Sequence, residues 1–423
     1  MDKLLRYIRG TIFVVWFMAC VLPYILIQSI FFFLSFLSES LHQKFIEFLS
    51  HIFGFFIFGT LQLFAPYSMI LSGEKSKFPN IKLSDGTIKW LEYASTEDSI
   101  LISNHQIYSD WLHIWALGYA QDYDYYLKFV AKDEIRKIPI FGRALILLEF
   151  IFLKRSWAED QSNLTKTLQK FSDSKNNKFI CIFPEGTTVN PKFMKISDEY
   201  AKNNNMKKTK HVLLPRSQGA YHIIKKLRHK TKHLYDFTIG YSGLNTEQCP
   251  EYSYPIVDMF TKKVYPKEVH IRIDRYCLET QVPKSETDFN EWITQLFYRK
   301  DRLLAFFYKN KYFPESTDLL PVDEKLSLDS SYFSIDGINT SNISNSHRGS
   351  ISSNLLKSKA IVAKPDEHKT QFISETITPN VKFFLLKIFG LLIVPYTLTY
   401  IIFRHLIFLP LENNLYNMII PKN

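Results

Sequence analysis

The pattern of apolar and charged positions divides the chain before any motif is considered. No charged residue occurs from Thr11 to Ser38, and about 28 residues at 1.5 Å each make roughly 42 Å of helix, longer than the roughly 30 Å hydrocarbon slab of a bilayer. Pro23 lies inside this run and can kink it. A second apolar run extends from about Phe45 to Leu71, and a third from about Phe383 to Leu411, with Pro395 in its middle. Lys3, Arg6 and Arg9 precede the first run, which is too long for the core of a signal peptide and lacks a small-x-small cleavage site. The pattern predicts an N-terminal membrane helix pair over residues 1–75 and a C-terminal membrane segment over 383–411, each spanning the bilayer or dipping into it. The three early cations place the N-terminus in the cytosol, and two crossings, or none, return the chain to that side.

Between residues 80 and 312 the pattern is that of a globular domain. Short apolar runs recur at Ser99–Ser103, Tyr125–Ala131, Phe150–Leu153, Lys178–Phe183, Val212–Leu214, Phe237–Tyr241 and Val269–Tyr276. Helical spacing lies between several of them. Leu164, Leu168 and Phe171 share a face, as do Ile223, Ile224 and Leu227, and Phe289 to Phe307 make a long amphipathic helix. Strands alternating with helices predict an α/β fold, a mixed sheet flanked by helices. From 314 to 380 Ser, Asn, Asp and Thr dominate and large apolar residues are few, which predicts a Ser-rich disordered linker.

Composition narrows the partners. The 52 Lys and Arg against 41 Asp and Glu leave +11 on 423 residues, which favours an anionic partner. Between Lys202 and Tyr235 there are ten Lys or Arg and no acidic residue, a block that attracts phosphates of lipid headgroups, coenzyme A or nucleic acid. Without a nucleic-acid recognition motif, and beside membrane-type segments, nucleic acid is the poorest of these partners. The four cysteines form no C-x-x-C pair, which argues against a disulfide scaffold and a cysteine zinc site.

Four strand-end motifs carry the candidate chemistry. Asn104-His105-Gln106-Ile107-Tyr108-Ser109-Asp110-Trp111 directly follows an apolar run, placing His105 at the carboxyl edge of the sheet. A turn at His105 and a helix starting at Asp110 would let the two meet, the carboxylate fixing the imidazole tautomer and freeing the other nitrogen as a base. Taken alone, the spacing equally fits a capping Asp beside a structural His. Phe183-Pro184-Glu185-Gly186-Thr187-Thr188 ends another strand, with Glu185, Thr187 and Thr188 able to hydrogen-bond hydroxyls and Gly186 admitting a ligand close to the backbone. Phe150 to Trp157 ends in the adjacent cations Lys154 and Arg155, and Arg155 suits a phosphate. Val212-Leu213-Leu214-Pro215-Arg216-Ser217-Gln218-Gly219 adds Arg216. A serine hydrolase is a poor fit, since Gly240 to Leu244 lacks the second glycine of a nucleophile elbow.

In this order, over roughly residues 10–312, the four blocks resemble the glycerophospholipid acyltransferase family, that of the 1-acyl-glycerol-3-phosphate acyltransferases, and look closest to its eukaryotic branch of lysocardiolipin and lysophosphatidylinositol acyltransferases. Arg143 and Glu149 depart from that branch, which usually has uncharged residues there. The resemblance implies that His105 takes the proton of a lysophospholipid hydroxyl, that Asp110 orients His105, and that the alkoxide attacks the thioester of acyl-CoA. Arg155, Glu185, Gly186, Thr187 and Arg216 would bind substrate. It further implies acyl-CoA as co-substrate with no cofactor and no metal, a role in phospholipid synthesis or phosphatidylinositol remodelling, and residence in the endoplasmic reticulum membrane with the catalytic domain facing the cytosol. A CoA-independent transacylase with the same dyad and a non-catalytic membrane tether are the rival readings.

Overall fold

The computed structural model describes residues 2–34, 38–74, 90–91, 97–138, 141–154, 156–315, 356–362 and 372–379. Two long apolar helices come first, α1 (Asp2–Leu34) and α2 (Glu39–Phe64). They lead into β1 (Ser68–Glu74), β2 (Asp98–Ser103), α3 (Asp110–Ala120), β3 (Leu127–Lys132), α4 (Asp133–Arg136), α5 (Phe141–Leu147) and β4 (Ile151–Leu153). Next are α6 (Trp157–Asp173), β5 (Phe179–Ile182), α7 (Pro191–Asn203), α8 (Ser217–Leu227), β6 (Thr231–Tyr241), α9 (Pro250–Ser253) and α10 (Ile256–Thr261). The remaining elements are β7 (Glu268–Cys277), α11 (Leu278–Gln281), α12 (Glu286–Asn310), β8 (Leu356–Val362) and β9 (Phe372–Pro379).

The strands form one mixed sheet in the order β4-β3-β5-β2-β6-β7-β1-β9-β8, the helix-flanked α/β architecture that the sequence pattern predicts. From β4 to β6 the neighbours are parallel, with Leu101 opposite Cys181 and Ile102 opposite Ile182. β2 and β5 are buried along their whole length, which is why they read as unbroken apolar runs rather than alternating ones. Right-handed crossovers put α3 and α5 on one face, because β2 to β3 to β4 steps in one direction along the sheet. The chain then steps back through β5 to β6, so α6 and α8 cover the opposite face.

Three sequence expectations need correction. Val212–Leu214 is not a strand: the Leu213 N–H goes to Glu185 and the Leu214 N–H to Ser197 Oγ, so side chains replace a strand ladder just before Pro215. The second apolar run is not one helix to Leu71, since α2 ends at Phe64 and Ser68–Glu74 enters the sheet as β1, paired with β7 and β9. The stretch 314–380 is not linker throughout, because β8 and β9 lie in it and pair with each other. Residues 316–355 and the third apolar run at 383–411 lie outside the described residues.

By length and composition, Lys3–Ser29 and Leu41–Phe64 could each cross a membrane, but only 17% of the first is buried against 61% of the second. α1 therefore presents most of its apolar surface outward, whereas α2 packs on α3 as a core helix does. Gly54 makes that contact possible: a β-carbon there would overlap the Asp124 carboxylate and stand 3.0 Å from Trp115 Nε1. His51, one turn earlier, pairs with Asp124 at 3.2 Å.

Candidate active site

The carboxyl edges of β2 and β5 lie side by side, and the turns that leave them build the site. Asn104 anchors the first turn. Its amide donates to Ile239 O (3.0 Å) and accepts from Ile239 N–H (2.8 Å), extending the β2–β6 pairing one residue past the strand. Gln106 is tethered too, donating to His211 O at 2.6 Å and accepting from the Tyr308 hydroxyl at 3.1 Å. Between these two fixed residues, His105 is held in place.

Asp110 opens α3, as the spacing predicted, and its carboxylate is fully buried. Its Oδ2 lies 2.8 Å from His105 Nδ1 and accepts from the N–H groups of Gln106 (2.6 Å) and Ile107 (3.1 Å). Its Oδ1 accepts from the hydroxyl of Tyr241, at the end of β6. The carboxylate is thus fixed by several donors, and a carboxylate facing Nδ1 makes that nitrogen the protonated one, leaving Nε2 with a free lone pair. The imidazole stacks on Phe183, ring centroids 4.4 Å apart, and lines a cavity of about 760 Å³. That volume is within the range of about 300–1,000 Å³ usual for ligand sites. A second histidine, His113, lies one turn into α3 and is fully buried, and burial pulls its imidazole down to about 4, against the opposing effect of Asp110. It is neutral near pH 7.

The residues expected to bind substrate separate into groups. Gly186, Thr187 and Arg216 line the cavity. Gly186 has φ +71, a conformation that favours glycine, and the Arg216 side chain passes 3.6 Å from where its β-carbon would be. Arg216 is exposed, and no ion-pair partner for its guanidinium occurs among the described residues. Glu185 does not take the expected position. Its Oε1 accepts from His105 N–H and its Oε2 from Leu213 N–H, both at 2.7 Å, and it is 2% exposed. It ties the turns after β2 and β5 to the segment before α8, and it does not line the cavity. Burial pushes its carboxyl well above the usual range, with the two N–H donors pulling the other way. Arg155 lies outside the described residues.

Part of the basic block is engaged within the protein. Lys208 and Lys210 pair with Asp198 and Glu247, and Lys230 pairs with Asp98 while donating to Phe171 O. Arg228 caps Val282 O and Pro283 O. Glu149, one of the two departures noted above, pairs with Lys178 (3.1 Å) and Lys128 (3.4 Å) at the amino edge of the sheet, the edge opposite His105. Burial lowers the Lys128 ammonium to about 8 despite that partner.

Sequence reasoning missed Asn104, Gln106 and Tyr241. The first two carried a signal, since polar residues flanking a strand-end histidine have backbone groups to satisfy. Tyr241 carried none, being 131 positions from Asp110.

Comparison with known proteins agrees with this geometry. The family model described as Acyltransferase matches residues 87–242, and that described as Acyltransferase C-terminus matches 259–333. An uncharacterised acyltransferase of Schizosaccharomyces pombe is 28% identical over 281 residues, 66% of this chain and 79% of the relative. A probable 1-acyl-sn-glycerol-3-phosphate acyltransferase of Arabidopsis thaliana is 36% identical over 218 residues, 51% of this chain but only 55% of the relative. A 2-acyl-1-lysophosphatidylinositol acyltransferase of Saccharomyces cerevisiae is 29% identical over 282 residues, 59% of this chain and 71% of the relative. With two successive family models on the part of the chain that carries His105 and Asp110, and relatives named as acyltransferases, the chain belongs to the acyltransferase family and is an acyltransferase.

Proposed function

We propose that the protein esterifies the free hydroxyl of a lysophospholipid, lysophosphatidic acid or lysophosphatidylinositol, with the acyl group of acyl-CoA, at the endoplasmic reticulum membrane with the catalytic domain in the cytosol. One observation carries the reading: a histidine whose Nδ1 is held by a buried carboxylate at 2.8 Å lines a largely apolar cavity. The activities for which the plant and yeast relatives are named support the lipid class, and the outward apolar surface of α1 supports a membrane setting.

His105 Nε2 takes the proton from the acceptor hydroxyl as its oxygen attacks the thioester carbonyl. Asp110 holds the ring and stabilises the imidazolium that forms. The tetrahedral intermediate collapses, the carbon–sulfur bond breaks, and the imidazolium returns the proton to the departing CoA thiolate. The acceptor is its own nucleophile, so no serine or cysteine enters the sequence of steps. Arg216 and the Gly186 turn hold the acceptor phosphate, Thr187 offers a hydroxyl beside it, and Arg155 is assigned to the same phosphate. No cofactor or metal has a part in these steps.

A positioned base contributes about 10²–10⁴-fold, so His105→Ala and Asp110→Asn should each lower acyl transfer at least about 10²-fold while membrane association stays intact. The assay supplies labelled oleoyl-CoA and a panel of lysophospholipids to the purified full-length chain. Near-normal turnover in either variant removes the base assignment, and transfer from phosphatidylcholine without CoA would favour a transacylase.

A further inference from the structure

The cavity beside His105 reaches interior side chains on both faces of the sheet. Successive strand residues point to opposite faces, yet Phe129 and Val130 of β3 both line it. On the α3/α5 face its wall includes Leu145 and Phe150, and on the α6/α8 face Leu164, Ala220 and Ile223. Leu145 and Leu164 are each 2% exposed and Ile223 1%, so both walls belong to the core and not to the surface. The cavity therefore passes over the carboxyl edge of β3 and β4 and enters the helix layer on each side, with His105 at the edge between.

Resting on the lysophospholipid reading above, we infer that this cavity holds two hydrocarbon chains at once. The arm between α6 and α8 takes the acceptor's own chain, and the arm beside α5 takes the chain being transferred. The product of the reaction carries two chains on one glycerol, so two apolar channels must diverge from the reacting oxygen if neither chain is left in water. Arg216 decides which chain goes where. It is the residue immediately before α8, and its side chain runs along the Gly186 turn. A phosphate held there sets the acceptor's glycerol at the α8 end of the cavity, and its chain continues past Ala220 toward Leu164. The thioester then approaches from the other side of His105, and its chain follows Leu145 and Phe150. Filling both arms replaces void with packed methylenes, which a core otherwise lacks at a cost in stability.

Two photoreactive probes test this on the wild-type full-length chain in detergent micelles. One is lysophosphatidic acid with a diazirine at the end of its chain; the other is a non-transferable thioether analogue of acyl-CoA with a diazirine at the same place. After irradiation and peptide mapping, the lysolipid adducts should fall within Trp157–Asp173 or Ser217–Leu227 and the CoA-analogue adducts within Phe141–Phe150. Exchanged positions, or both labels in one arm, overturn the assignment. As a functional arm, Ala220→Leu should lower kcat/KM for long-chain lysophosphatidic acid at least about tenfold, leaving short-chain acceptors and the donor chain-length profile unchanged. A shifted donor profile counts against the proposal. Wild-type turnover of lysophosphatidic acid with oleoyl-CoA is run alongside: its absence sinks the parent reading, whereas turnover with labels in the wrong helices sinks only the two-chain arrangement.

Discussion

Replacing Glu185 separates a loop tie from a substrate contact. The two carboxylate oxygens each accept one buried backbone N–H at 2.7 Å, from His105 and from Leu213. Glu185→Ala leaves both donors without a partner, and at about 1–3 kcal/mol for each orphaned group the loss is about 2–6 kcal/mol. Against a total stability of about 5–15 kcal/mol, that is a large share. Glu185→Gln keeps one carbonyl acceptor but turns an NH₂ toward the other N–H, so its loss should be about half as large, about 1–3 kcal/mol. Thermal unfolding in detergent micelles measures this directly, at about 2–4 °C per kcal/mol for a domain of this size. Kinetics gives the second readout. Because the carboxylate holds the His105 backbone and not the cavity wall, kcat should fall in the Gln variant while the acceptor KM stays within about twofold. An unchanged melting temperature together with a raised acceptor KM would refute the reasoning and restore Glu185 as a ligand for the acceptor.

Other perturbations probe the surroundings of the dyad. Tyr241→Phe removes the hydroxyl that donates to Asp110 Oδ1; a hydrogen bond to a charged group is worth about 1.5–3 kcal/mol, so melting should drop accordingly and kcat more than KM, and unaltered melting and turnover would deny Tyr241 a positioning role. His113 is held neutral by burial, at about 4 against an ordinary 6.5. A depressed folded value leaves stability intact above about pH 6.5 and erodes it as the pH falls toward 4, by about 3 kcal/mol at 1.36 kcal/mol per pH unit. In melting curves from pH 7 to 4, the difference between wild type and His113→Gln should therefore change with pH; a constant difference would contradict it. Gly54→Ala forces a methyl group into the Asp124 carboxylate and should cost about 1–3 kcal/mol of overpacking, seen as a lower melting temperature, and an unchanged value would mean that α2 can shift away.

Local chemistry was legible in the sequence where a few residues determine it. An apolar run ending in a polar turn put His105 at a strand end, and the distance to Asp110 required the turn that is present. Gly186 and Arg216, read from the same kind of turn, both line the cavity. What a carboxylate binds was not legible, because a ligand for a hydroxyl and an acceptor for two N–H groups are the same residue in the same kind of turn, and in the structure Glu185 accepts two N–H groups. Segment ends were lost where one apolar run changes element. Ser68–Glu74 continues the hydrophobicity of α2 but is buried in a sheet, and hydropathy does not distinguish lipid from protein interior. Val212–Leu214 has strand composition, yet side-chain acceptors satisfy its N–H groups.

The burial of α2 has a practical meaning for where the chain can be shortened. A fragment beginning after residue 75 would lose β1 from between β7 and β9 and strip the covering from α3, opening an apolar wound beside Trp115 and Asp124. Among the described residues α1 is the less buried of the two long apolar helices, yet it too is tied to the rest through Arg9, which donates to Phe260 O, and Phe13, which stacks on Phe260. α2 and the sheet that carries His105 are one folding unit, so a shortened chain that keeps this fold starts no later than Glu39.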